Sequence, residues 1–187
     1  MNHPKDIIDE HRQSIEKLQK SSVPEQLPVA VQKIMTTFKS GHKVLICGNG
    51  GSASDAQHLA AEWVNRYEKN RQPLPAIALT TDTPILTSVS NDFHFDEVFS
   101  KQVDALGQTG DILIAISTSG RSKNILKAME TARKKNLHII SFTGENQNAM
   151  DPLSDLIFHV PSSKTARIQE MHILLFHILC ELVDEHF

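Results

Sequence analysis

The residues of this chain best suited to chemistry fall in a few short segments. His58 and Glu62 are four apart in Ala56-Gln57-His58-Leu59-Ala60-Ala61-Glu62-Trp63, so on a helix they share one face. Such a pair can be an ordinary exposed helix pair. The segment around it is mostly apolar, however, and predicts burial, and a buried glutamate needs a cation or a task. Toward the end of the chain, RIQEMHILLFHILC carries Gln169, Glu170, His172 and His177. Gln169 and His177 lie about 80° apart around a helix, so both can border one pocket. Any single histidine there is more often a core or interface residue. Two imidazoles, a carboxylate and an amide from two helices nevertheless suit a divalent metal, with zinc the natural match. Spacing alone leaves open whether the helices converge, and whether they come from one subunit.

Two further segments suit an anion. Gly48-Asn49-Gly50-Gly51-Ser52 has glycines that permit positive φ and close backbone approach, with Ser52 and a helix N-terminus as donors. Ser117-Thr118-Ser119-Gly120-Arg121-Ser122 gathers four hydroxyls around a glycine, which is what a dianionic phosphate monoester requires. Each could be a tight turn with capping serines. Placed at the same end of one sheet, they favour a phosphate site. Gly48-x-Gly50-x-x-Ala53 also fits a dinucleotide fingerprint, which expects an acidic residue about 20 positions later, at the end of the second strand. Here that strand ends in Thr80-Thr81, with Asp82 beyond it, and a dinucleotide leaves the Ser/Thr loop unexplained.

These segments need elements to position them, and the hydropathy pattern supplies an alternation. Strands are predicted at 43–47, 76–79, 111–117, 138–143 and 156–160. Helices are predicted at 6–20, from Pro24 to Gly41, at 55–66, at 83–106 with a break near Asn91–Phe95, at 123–135 and at 166–187. The second helix is expected to bury Val29, Val31, Ile34, Met35 and Phe38. The last is expected to present Ile168, Met171, Leu175, Ile178 and Leu182 on one face, and 144–152 reads as a plain loop. Short apolar strands separated by helices imply a five-stranded parallel sheet covered on both faces. The fold class is α/β, a three-layer α/β/α sandwich with an N-terminal helical arm over 1–40. Ligands bind such sheets beyond the carboxyl ends of the strands. The arm is polar with a thin apolar edge of Ile7, Ile8, Ile15 and Leu18, a pattern that predicts packing on a partner subunit.

Composition narrows the class. The chain has 187 residues and a formal net charge of −3, so one domain is expected and a strongly basic nucleic-acid footprint is absent. Two distant cysteines make neither a zinc ribbon nor a disulfide framework, and read as buried thiols in a reducing compartment. Neither a signal peptide nor a membrane span is legible in the sequence, so a cytoplasmic protein is expected.

Taken together, GNGGSASDAQHLAAEW, SNDFHFDEVFSKQV, ISTSGRS and RIQEMHILLFHIL resemble the phosphoheptose isomerases of the sugar-isomerase (SIS) domain superfamily. The resemblance covers nearly the whole chain in order. It implies a cytoplasmic homotetramer, with one zinc per subunit, that converts sedoheptulose 7-phosphate to D-glycero-D-manno-heptose 7-phosphate for heptose synthesis, usually of the lipopolysaccharide core. By that resemblance Asn49, Gly50, Gly51 and Ser52 match the first sugar-phosphate loop. Asn91 and Asp92 match a substrate-contacting pair, and Ser117, Thr118, Ser119 and Ser122 match the phosphate loop. His58, Glu62, Gln169 and His177 match the zinc site, with Glu62 and Gln169 also touching substrate and Glu62 and His177 the catalytic acid/base pair. Arg121 departs from the family's loop. The segment TTDTPILTSVSNDFHFDEVFSKQVDALG and the RIQEMH motif also resemble a relative in the same superfamily that binds the replication initiator DnaA. The known representative of that relative lacks the equivalents of Glu62 and His177. Both are present here, which favours an isomerase over a non-catalytic, DnaA-binding tetramer. An aldose–ketose isomerisation moves a proton between C1 and C2 through an enediolate, and a zinc-bound carboxylate is a weaker base. Either Glu62 loosens from the metal during turnover or His177 carries more of the transfer.

Overall fold

The computed structural model describes residues 3–187. Its helices are α1 (Pro4–Gln19), α2 (Val23–Lys39), α3 (Gly51–Val64), α4 (Thr83–Asp92), α5 (Val98–Leu106), α6 (Lys123–Lys134) and α7 (Thr165–Asp184). Its strands are β1 (Val44–Cys47), β2 (Ala76–Ala78), β3 (Ile112–Ile116), β4 (His138–Thr143) and β5 (Leu156–His159). The strands form one parallel sheet in the order β2-β1-β3-β4-β5, with Cys47 beside Ala115 and Ile116 beside Phe142. Strands β1 and β3 are wholly buried, as continuous apolar runs covered on both faces should be.

Alternate strand residues feed the two faces. Val44, Ile46, Ile112, Ile114, Ile140 and Phe142 pack under α2, α3 and α7. Leu45, Cys47, Leu113, Ala115 and Ile139 pack against α5 and α6. The three-layer α/β/α architecture is therefore the one the sequence predicts. The connection from β1 runs outward to β2, and that from β2 returns across to β3. Strand order thus reverses between β1 and β3, and their carboxyl ends flank the crevice where open parallel sheets bind ligands.

Several expectations need correction. Val29 does not join the core but is 58 % exposed, while Leu27 and Ala30 take the buried positions of α2. Helix α3 begins at Gly51 rather than Asp55, so Ser52 belongs to its first turn, where it is buried. Segment 144–152 is no plain loop. Asn148 donates from its side chain to Thr143 Oγ1 at 3.1 Å, and a short 3-10 turn follows at Asp151–Leu153. Both cysteines are buried free thiols, and burial pushes Cys47 up to about 12. Helix α1 buries only Ser14 and Leu18, leaving Ile8 68 % exposed, and α4 has no buried residue. No helix among the described residues is long and apolar enough to cross a membrane.

Candidate active site

The loops after β1 and β3 emerge side by side and are joined. Asn49 donates to Asn124 at 2.9 Å and Asn124 returns a hydrogen bond to Asn49 at 2.8 Å, a closed amide pair between the first loop and the first turn of α6. In the second loop the Ser117 and Ser122 hydroxyls lie 3.2 Å apart, and the Arg121 N–H donates to Ser119 Oγ at 3.3 Å. Ser122 precedes α6 without a side-chain capping bond, so the helix N-terminus faces the loop with its partial positive charge available. Gly120 has φ +63°, and a Cβ there would come within 2.0 Å of the Asn148 side chain, which lies across the loop. A polar cavity of about 610 Å³ opens beside it, lined by Thr118, Ser119, Arg121, Asn148, Ser162 and Thr165 among others. Ser117 is buried, whereas Ser119 is exposed.

Because α3 and α7 pack side by side, His58, Glu62 and His177 of one chain come together, while Gln169 stands nearer the start of both helices. Gln169 lies against Gly51, where a Cβ would sit 2.6 Å from its amide nitrogen, so a larger residue at 51 would push the amide away. Further along the same faces His58 Nε2 lies 2.9 Å from Glu62 Oε1, an imidazole N–H donating to a carboxylate. The His177 ring meets His58 edge-on, with centroids 5.2 Å apart, and the Tyr67 ring lies 5.8 Å from that of His177. The pair is less buried than the apolar sequence around it predicts: His58 is 43 % exposed and Glu62 24 %. This face of α3 opens to solvent, because Gly51, Asp55, His58 and Glu62 follow one helical stripe and the core residues Ala56, Leu59 and Trp63 another.

Asn91 and Asp92 are placed differently. They end α4, exposed, with the Asn91 amide donating to Asp92 at 2.8 Å, and among the described residues neither side chain hydrogen-bonds to the two loops. Glu170 and His172 stand apart as well. Glu170 pairs with Arg167 and with His11 of α1, and His172 is fully buried beside Phe142, donating to the Thr143 carbonyl at 3.3 Å. Burial holds His172 down at about 4.

Sequence reasoning passed over Asn124, Asn148, Asp55 and Tyr67. Asp55 lies one turn before His58 with one carboxylate oxygen buried and unpartnered, and burial, opposed by His58, pushes it up to about 6. The spacing of Asp55 and His58 could have shown their shared face. Nothing local marks Asn124 or Asn148, whose partners are distant in sequence.

Two imidazoles, a carboxylate and an amide oxygen are donors that a zinc ion accepts. Among the described residues no three His, Cys, Asp or Glu side chains stand as an ion-holding group, and His58 Nε2 is directed at Glu62. The set fits zinc in donor chemistry, and the hydrogen bond between His58 and Glu62 is the contact an ion would replace.

The comparisons with known proteins identify the family. Residues 7–144 match the SIS domain family. A phosphoheptose isomerase of Campylobacter concisus is 55 % identical over 161 residues, 86 % of this chain and 85 % of that protein. Solved phosphoheptose isomerase structures from Neisseria gonorrhoeae (41 % identity, TM-score 0.91) and Francisella tularensis (38 %, 0.93) each cover 97 % of this chain and 96 % of their own.

Proposed function

Because this chain belongs to the SIS domain family and to its phosphoheptose isomerases, we propose that it converts sedoheptulose 7-phosphate to D-glycero-D-manno-heptose 7-phosphate. It is a sugar-phosphate isomerase enzyme. The observation that carries the finer reading is the contact of Gln169 on α7 with Gly51 of the first loop at the β1/β3 crevice, with His58, Glu62 and His177 gathered further along the same two helices.

In this reading Ser117, Thr118, Ser119, Ser122 and the α6 N-terminus hold the phosphate, while Asn49, Gly50, Gly51 and Ser52 line the sugar. Anchoring the phosphate, far from C1, orients the chain for reaction at its other end. Glu62 and His177 are the acid/base pair that takes a proton from one carbon and returns it to its neighbour, a role worth roughly 10²–10⁴-fold in rate. His58, Glu62, Gln169 and His177 would hold one zinc per subunit, which when bound supplies a Lewis acid for the substrate carbonyl. Asn91 and Asp92 are assigned to substrate through an assembled tetramer. The support for the tetramer is the exposed apolar edge of α1 and the unburied α4, with Phe93 and Phe95 each more than half exposed beside it.

An assay with sedoheptulose 7-phosphate alongside metal analysis tests the reading. Turnover with about one zinc per chain is the expected result. Tight sugar-phosphate binding without turnover would replace it with a non-catalytic binding tetramer.

A further inference from the structure

Arg71 and Asp184 form an ion pair with Nε 2.7 Å from Oδ1, and their side chains are only 2 % and 4 % exposed. Neither belongs to the groups assigned above. The rest of the pair's bonding capacity is spent on main-chain atoms at the end of α3 and in the segment after it. Arg71 Nη2 donates to the Glu62 carbonyl and Nη1 to the Trp63 carbonyl, each at 2.9 Å. Asp184 Oδ2 accepts from the Glu68 and Lys69 N–H groups, each at 3.0 Å. The preceding residue, Tyr67, is the one whose ring lies against His177.

A buried ion pair is a weak device for stability, because desolvation offsets most of the attraction and well-packed apolar residues often do as well. A planar guanidinium does something an apolar contact cannot: it fixes several acceptors at set distances and angles. Here those acceptors are the carbonyl of Glu62 itself, that of the next residue, and a carboxylate two turns beyond His177 on α7. The same carboxylate sets the backbone that carries Tyr67.

We propose that the Arg71–Asp184 pair is a positioning device that sets Glu62 on α3 and His177 on α7 in register for proton transfer. The proposal rests on the reading of Glu62 and His177 as the acid/base pair. Misplacing a reacting group by about an ångström can cost on the order of 10²-fold in rate, so a loosened pair should show in turnover before binding.

Arg71→Lys tests it, since an ammonium can still neutralise Asp184 but cannot span both carbonyls and the carboxylate. In this variant kcat for sedoheptulose 7-phosphate should fall by about tenfold or more with KM changed less than about twofold, because the phosphate loop is held elsewhere. The imidazole NMR signals of His177 should shift in the same variant. Ile34→Ala, a cavity in α2 outside the site, serves as a comparison of lowered stability and should keep the parent's kcat below its unfolding temperature. Unchanged kcat and unchanged His177 signals in Arg71→Lys, or an equal kcat loss in Ile34→Ala, would overturn the proposal. A parent without turnover would instead sink the isomerase reading, and the His177 signals alone would then decide whether the pair positions α7 against α3.

Discussion

Asn49 and Asn124 exchange a pair of side-chain amide hydrogen bonds, 2.9 and 2.8 Å long, across the crevice between the carboxyl ends of β1 and β3. The Asn124 oxygen also accepts from the Ile125 N–H at 3.0 Å, so one side chain fixes the first loop and the first turn of α6 together. Asn124→Ala removes both cross-loop bonds and leaves the half-buried Asn49 amide to water, at about 0.5–1.5 kcal/mol for each bond lost. Sugar-phosphate affinity should fall about tenfold by calorimetry while the metal content stays as in the parent. Parent affinity in this variant would show that the two loops are set independently.

Ser119 and Glu62 should fail in opposite ways. A hydroxyl bonding a charged phosphate oxygen is worth roughly 1.5–3 kcal/mol, so Ser119→Ala should weaken binding by about one to two powers of ten. Glu62→Gln should retain phosphate affinity while kcat falls steeply. Tight binding by Ser119→Ala would reduce the loop to a turn.

The metal has its own measurement. His58→Ala removes an imidazole donor and the partner of the Glu62 carboxylate, 2.9 Å away. Equilibrium dialysis should show zinc binding at least about tenfold weaker than in the parent, and Ser119→Ala should bind zinc as the parent does. Equal zinc affinity in His58→Ala would remove this residue from the ligand set.

Because α3 and α7 bring Glu62 and His177 together within one chain, mixed assemblies of Glu62→Ala and His177→Ala chains should regain no activity. The sequence reading expects the first and last helices to pack between subunits, with active-site residues contributed across the interface. Recovery of activity on mixing, with mixing confirmed by mass spectrometry, would show that the pair works across an interface.

His172 ties stability to acid. Its folded value is held near 4 by burial, against about 6.5 for a free imidazole. The unfolded chain therefore binds the extra proton first, and stability should fall as pH drops from about 6.5 to 4 and be flat above that window. At about 1.4 kcal/mol per unit the loss amounts to roughly 3 kcal/mol. Thermal unfolding across pH 4–7 should show a shallower dependence in His172→Gln. An identical slope would assign the acid sensitivity to other groups.

The sequence determined the elements and their order, because helical and strand periodicities are local and leave their mark in consecutive residues. It also exposed both loops, whose glycines and hydroxyls stand out in composition, and the i, i+4 pair of His58 and Glu62. It misjudged positions where neighbours distant in the chain decide. Val29 reads as apolar core yet faces outward, and segment 144–152 reads as slack yet is pinned through Asn148 to Thr143. Only the tertiary structure decided that Gln169 reaches Gly51, that His177 meets His58, and that Asn124 answers Asn49 across 75 residues. Those contacts come from packing α7 on α3 and β3 beside β1, and packing distances are carried by the whole core rather than by any local pattern.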